Sequence, residues 1–259
     1  MALIIGGHPR SGTSILRRIC RDHPDMFVTG EFWCFNRINV PFKEHIGGLR
    51  SRWYDAGFIR ERRQTRIVNA AQSGLFMARY ILHMRSYRDV PIGVAQVEAV
   101  LHRLLPGRRI VGDKYPPYVF RLDTLCREPG LSRIIIYRDG RDVVSSRLAQ
   151  RRRKHARQDP DEEKEDISAA KIAERWVAAI EKMQEHANEL FSIRYEDFVT
   201  QPRREMDRLA QYLEVSPEGF RIKGIHARSI GKHRQGLRDE ELAEVMEIAG
   251  PTLSRLGYL

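Results

Sequence analysis

Two short stretches of this sequence combine turn residues, hydroxyls and arginine in spacings that suit anion binding. The first is Gly7-His8-Pro9-Arg10-Ser11-Gly12-Thr13-Ser14. Its two glycines and its final hydroxyl match the phosphate-binding P-loop pattern G-x-x-x-x-G-K-[ST], but Thr13 stands where that pattern has lysine. The apolar stretch Ala2-Leu3-Ile4-Ile5 precedes it, and Ile15-Leu16-Arg17-Arg18-Ile19 follows at helical spacing. A loop between a strand and a helix offers an anion its backbone N–H groups and the positive end of the helix dipole. The lysine that would reach the β- and γ-phosphates of a nucleoside triphosphate is missing. Arg10 is the strong cation left inside the loop. The expected ligand is therefore phosphate-like without being the end of ATP.

The second stretch is Tyr137-Arg138-Asp139-Gly140-Arg141-Asp142-Val143-Val144-Ser145-Ser146. Arg138 closes an apolar strand pattern. Ser146 follows eight residues later, about two turns into the next helix. Arginine and serine could hold a second phosphate away from the first loop. Two such sites imply a nucleotide with phosphate on both ends of the ribose. The bland alternative is a strand-to-helix turn in which Asp142 is a cap and Arg138 sits in a structural ion pair.

These stretches need a scaffold. Strand patterns fall at residues 2–6, 26–29, 109–113, 133–137 and 191–195. Helical patterns fall at 13–21, 118–127, from the Asp142 turn to about 152, 168–189, 202–212 and 240–256. Alternation of strands and helices predicts an α/β fold with a parallel sheet covered on both faces. Ligands of such sheets sit beyond the carboxyl ends of the strands. Residues 32–105 carry helical patterns near 40–50, 53–63, 68–86 and 92–105 and read as a helical insertion. Residues 151–166 are charge-dense and poor in apolar side chains, and predict a mobile surface loop, with the basic run at 151–154 read as a solvated helix end. No internal repeat or domain boundary is visible, so residues 1–259 are expected to form one domain.

Together, GHPRSGTS and YRDGRDVVSS resemble the two cofactor motifs of sulfotransferases that use 3′-phosphoadenosine-5′-phosphosulfate (PAPS). The likeness runs nearly end to end. His23-Pro24-Asp25 with Gly30-Glu31 is similar to the segment that carries the catalytic glutamate in tyrosylprotein sulfotransferases. Gly112-Asp113-Lys114-Tyr115-Pro116 resembles the family's G-D-K-x-P element, and Arg194-Tyr195-Glu196-Asp197-Phe198 with Pro202 its R-Y-E-D-L…P element. The segment from Gly231-Lys232-His233-Arg234 to Leu256-Gly257-Tyr258 is similar to the family's C-terminal part.

The resemblance implies a P-loop-like αβα fold whose helical insertion forms the acceptor side. It implies PAPS as donor, adenosine 3′,5′-bisphosphate (PAP) as product, and no metal. Arg10, Ser11, Gly12, Thr13 and Ser14 would hold the 5′-phosphosulfate, and Arg138 and Ser146 the 3′-phosphate. Tyr195 would contact the nucleotide or brace the loop. Lys232 and Arg234 lie in a basic loop that closes over the cofactor in the family. Lys114 and Arg10 would neutralise charge on the leaving oxygen, and Glu31 would take the acceptor's proton. His8, His23, His45 and His233 are rival bases. Phe32, Trp33, Phe35, Trp53 and Tyr54 could stack on a sugar or phenol, or could be core. Substituting Arg138 by alanine is expected to weaken cofactor binding and leave the fold intact.

Bulk properties are compatible with this. Forty-five Lys and Arg against 34 Asp and Glu give a net charge of +11, which favours anionic ligands. Three cysteines, Cys20, Cys34 and Cys126, without CxxC spacing, argue against a disulfide scaffold or structural zinc site. No apolar run approaches membrane-spanning length, so a cytoplasmic protein is expected. The expected partner is a small-molecule, carbohydrate, lipid or peptide acceptor rather than nucleic acid, with room for a homodimer. Two other classes compete: a P-loop kinase or nucleotide hydrolase with an altered loop, and a non-catalytic binder of nucleotides or nucleic acid.

Overall fold

A computed structural model describes residues 1–50, 59, 66–155 and 168–259. Five strands form its sheet: β1 (Ala2–Gly6), β2 (Met26–Gly30), β3 (Ile110–Lys114), β4 (Leu131–Tyr137) and β5 (Phe191–Arg194). Their spatial order is β2-β3-β1-β4-β5, and every pairing is parallel. Parallel neighbours need crossover connections, and helices supply them. The helices are α1 (Thr13–Asp22), α2 (Phe42–Leu49), α3 (Arg66–Met84), α4 (Val94–Leu104), α5 (Leu122–Leu125) and α6 (Gly140–His155). They continue with α7 (Ala169–Glu185), α8 (Tyr195–Thr200), α9 (Pro202–Leu213), α10 (His233–Gly236) and α11 (Asp239–Arg255).

The strands are apolar runs because both faces of the sheet are covered. Every residue of β1 is buried. Leu3, Ile5, Ile134, Ile136 and Ile193 point to one face and pack under α1, α8 and α9. Ala2, Ile4 and Val111 point to the other and meet Tyr80 of α3 and Val97 and Leu101 of α4. Further along that face Ile135 packs against α6, α7 and α11 through Val144, Trp176 and Val245. The result is a three-layer αβα sandwich.

Residues 32–105 link β2 to its neighbour β3, so this helical insertion is also the crossover of that pair. The expected helix at 53–63 lies outside the described residues, except Ile59. The basic run at 151–154 is the helix end expected there, since α6 continues to His155; the loop expected from 151 therefore does not start within 151–155, and 156–166 lies outside the described residues. The helix expected over 168–189 ends at Glu185, before a short 3-10 turn at Ala187–Glu189. The strand expected to reach Tyr195 stops at Arg194, and Tyr195 opens α8.

Candidate active site

The carboxyl ends of the five strands place the predicted residues in one row. Glu31 follows β2, Lys114 ends β3, the Gly7–Ser14 loop follows β1, Arg138 follows β4 and Tyr195 follows β5. Three strand spacings separate β2 from β4, about 14 Å, which leaves room for two distinct anion positions.

The loop after β1 is shaped by two glycines. Gly7 has φ 141°, and a Cβ there would sit 2.2 Å from the carbonyl oxygen of Ile136. Gly12, before α1, has φ 101°, and a Cβ would lie 2.6 Å from the Tyr195 ring. The close approach brings the start of α1 over the carboxyl ends of the central strands. The N–H groups of Thr13 and Ser14 then have no carbonyl within the helix to reach, and no side chain caps them. The hydroxyl of Ser11 is buried without a hydrogen-bond partner. A buried orphan hydroxyl beside free N–H groups is a feature that an anion would satisfy.

Arginines crowd the same place. Arg10 donates from Nε to Ser146 Oγ at 3.0 Å, which joins the two sequence motifs directly. Burial of part of its side chain, with the charges of Arg153, Arg138 and Arg147, holds its guanidinium below the ordinary value. Cations that depress one another favour binding of an anion between them.

Arg138 is buried and fixed on several sides. It donates to Asp142 Oδ2 at 3.0 Å, to the carbonyl of Ser229, and to the carbonyl of Arg10 at 3.4 Å. Its guanidinium lies 4.6 Å from the centre of the Tyr195 ring, and its Nε is buried without a partner. Arg138 therefore forms the structural ion pair that the sequence offered, and it keeps one buried donor without a partner.

Asp142 also accepts from the N–H groups of Gly231 and His233, each at 2.9 Å, and its Oδ1 lies 2.9 Å from His233 Nδ1. Burial opposes its ionisation, but the His233 and Arg138 bonds outweigh that and hold the carboxyl at about 2. It thus latches the Ser229–His233 segment to Arg138. Lys232 lies in that segment and is exposed. Tyr195 is buried between Gly12 and Arg138, so it braces the loop from behind.

At the other end of the row, Lys114 Nζ donates to Glu31 Oε1 at 2.5 Å. The Lys114 side chain is 6% exposed and that of Glu31 38%, so a buried cation faces a carboxylate that solvent and ligands can reach. Glu31 and Trp33 have φ values of 65° and 70°. Left-handed backbone at such residues costs on the order of 1 kcal/mol each and persists only where the surroundings enforce it. Arg17 of α1, not singled out from the sequence, donates from Nε to the carbonyl of Val28 at 3.0 Å, and its guanidinium covers Gly30. Burial and Arg21 lower it to about 10, against the fields of Asp113 and Glu31.

The four histidines are occupied structurally. His8 Nδ1 lies 2.8 Å from the carbonyl of Pro9, and burial pushes its imidazole down to about 4. His23 receives the N–H of Asp25 at 3.1 Å and its Nε2 lies 2.9 Å from the carbonyl of Ser216. His45 bridges the Arg37 carbonyl and the Tyr80 hydroxyl, and His233 belongs to Asp142. Phe32 and Phe35 are core, the former edge-on to Phe76 and Tyr80. Trp33 packs against Tyr115 with ring centres 5.0 Å apart, while Trp53 and Tyr54 lie outside the described residues.

Two of these groups give the protein an acid limit. His8 is neutral in the fold at pH values where the unfolded chain already binds a proton, so stability falls as pH drops from about 6.5 to about 4. Asp142 adds a second loss between its unfolded value near 3.8 and its folded value near 2, on the order of 2 kcal/mol. Denaturant titrations across this range should show stability decreasing from pH 6.5 downward. In His8→Gln the decrease between pH 6.5 and 4 should flatten.

Among the described residues, donor groups near enough to share a metal occur at Cys126, His186 and Glu189 and at Asp123, Glu185 and His186. They lie at the amino ends of β4 and β5, the far end from the row described above. His186 and Lys182 already pair with these carboxylates. Among the described residues no helix is long and apolar enough to cross a membrane.

The comparisons agree with this architecture. A model described as the sulfotransferase family matches residues 2–218. No curated protein matches the sequence. The sulfotransferase domain of the Synechococcus PCC 7002 olefin synthase is similar in structure, with TM-score 0.60 and 17% identity over 97% of this chain and 94% of that one. The sulfotransferase domain of the curacin biosynthetic pathway aligns with TM-score 0.55 and 20% identity over 97% and 96%. A sulfotransferase from Alicyclobacillus acidocaldarius aligns with TM-score 0.54 and 17% identity over 98% and 93%. At these identities the structural likeness concerns the fold, and the family match spans most of the chain: the protein belongs to the sulfotransferase family.

Proposed function

We propose that this sulfotransferase moves a sulfuryl group from PAPS to a hydroxyl or amine acceptor, with Glu31 as general base. The observation that carries the reading is the Lys114–Glu31 contact at 2.5 Å in the same row of strand ends as a lysine-free anion loop. PAPS, when bound, supplies the sulfuryl group and a phosphate oxygen as leaving group.

The chain's residues divide the remaining work. Ser11, the N–H groups of Gly12, Thr13 and Ser14, and Arg10 hold the 5′ end, where the orphan hydroxyl of Ser11 gains its partner. Arg138 and Ser146 hold the 3′-phosphate, with Tyr195 as a brace and Lys232 on the latched segment. Glu31 takes the acceptor's proton. Lys114, released from Glu31 as that carboxylate becomes neutral, turns its full charge toward the oxygen that leaves with PAP. The S–O bond to phosphate breaks as the bond to the acceptor forms. A sulfuryl group carries less charge than a phosphoryl group, so threonine in place of the P-loop lysine is in keeping with this transfer. The helical side, with Trp33 and Tyr115 beside Glu31, receives the acceptor.

Calorimetric titration tests the donor. PAP should bind without Mg²⁺ and more tightly than ATP. Preference for ATP with Mg²⁺ would return the protein to the kinase or hydrolase class.

A further inference from the structure

The turn that carries Glu31 is held from below by a carboxylate to which the sequence assigned no role. Asp113 precedes Lys114 in β3 and is fully buried. Its Oδ1 accepts from the Thr29 hydroxyl at 2.6 Å and from the Phe32 N–H at 2.9 Å. Its Oδ2 accepts from the Trp33 N–H at 3.0 Å and from the Tyr118 hydroxyl at 2.8 Å. Four donors converge on one carboxylate, and three of them come from β2 or the turn after it. Two of those donors are the N–H groups that directly follow Glu31, between the left-handed residues Glu31 and Trp33. Successive side chains of a strand point to opposite faces, so Asp113 and Lys114 grip the turn from different sides. The carbonyl of Lys114 accepts the Glu31 N–H at 2.6 Å, and its Nζ holds the Glu31 carboxylate.

We propose that Asp113 is a positioning residue for sulfuryl transfer, which fixes the backbone turn so that Glu31 faces Lys114 and the anion loop. The proposal rests on the reading of Glu31 as general base. Asp113 touches neither donor nor acceptor and acts through the turn. Asparagine has the same shape, but its amide nitrogen cannot accept from the two donors it would face, so one half of the grip becomes repulsive. The left-handed turn then relaxes, and the base moves away from its line of attack.

The test is a set of variants assayed for transfer of labelled sulfate from PAPS to acceptors in a cell extract, with PAP affinity measured in parallel. Asp113→Asn should lower kcat on the order of 100-fold, the effect of a base displaced by about 1 Å. PAP affinity should stay within roughly twofold, because the anion loop belongs to another strand. In a Glu31→Gln background, Asp113→Asn should cost nothing further, since the residue it positions is already disabled. Thr29→Val removes one of the four donors with little change of shape. It covers the case in which Asp113→Asn does not fold, and should give a smaller kcat loss with the same dependence on Glu31. Equal losses in both backgrounds, or an unchanged kcat in either single variant, would overturn the proposal. Normal turnover by Glu31→Gln alone would remove the base assignment itself, a failure separate from that of Asp113.

Discussion

Glu31→Gln is expected to bind PAP as the unaltered protein does and to turn over about 100- to 10,000-fold more slowly, the usual contribution of a positioned general base. The structure makes this substitution a clean one. The glutamine carbonyl can still accept from Lys114 Nζ, now 2.5 Å from Glu31 Oε1, so the buried lysine keeps a partner. The turn is set by backbone N–H groups bonded to Asp113 and to the Lys114 carbonyl, none of which changes. Glutamine loses only the capacity to accept the acceptor's proton. The histidines that compete for the role are buried in structural bonds, and His8 is held neutral and shielded. Turnover and PAP affinity measured on the same preparation separate the base from the binding site. Undiminished turnover would remove Glu31 as the base.

The second large effect is at Arg138. Alanine there should weaken PAP binding by roughly 10- to 100-fold, as expected when a charge-assisted contact to phosphate is lost. It should also destabilise the fold, contrary to what the sequence suggested. Arg138 and Asp142 form a buried pair at 3.0 Å, with side chains 6% and 0% exposed. Removing one partner of such a pair costs about 3–5 kcal/mol, because the other charge stays buried. The loss also frees the Ser229 carbonyl and loosens the segment that carries Lys232. Ser146→Ala is the informative companion. Ser146 accepts from Arg10 at 3.0 Å and carries no buried ion pair, so it should weaken PAP binding with little change in stability. Urea unfolding and calorimetry on both variants would check this. Arg138→Ala as stable as the unaltered protein would contradict the role of the Asp142 latch.

How far the sequence led depends on how local each feature is. The strands were legible because parallel strands buried on both faces are continuous apolar runs, as in Ile134-Ile135-Ile136. The anion loop was legible because its glycines are contiguous with a strand and a helix. An ion pair for Arg138 was legible, but not its partner: Asp142 reads as a cap in the sequence, and the turn between β4 and α6 brings the two together. The contact of Lys114 with Glu31 was not legible: the residues are 83 positions apart, and only the adjacency of β2 and β3 brings them together. Three of the four bonds to Asp113 depend on the same adjacency, and the turn that supplies two of them holds two left-handed residues that no pattern signals. Arg17 looked like an ordinary polar position of α1, and only the tight bend after β2 puts it over Gly30. The basic run at 151–154 was legible as the solvated end of α6, and only its extension to His155 went beyond the expected limit near 152.

Sulfuryl transfer from PAPS through Glu31 is the step on which the other residue roles depend. Its most direct test follows label from sulfur-labelled PAPS and from γ-labelled ATP into the same cell extract, with chelator and with Mg²⁺, for the unaltered protein and Glu31→Gln. Label should pass from PAPS in chelator, with PAP released, and that transfer should be lost in the variant. Transfer from ATP that requires Mg²⁺, or PAPS-dependent transfer undiminished in Glu31→Gln, would contradict it.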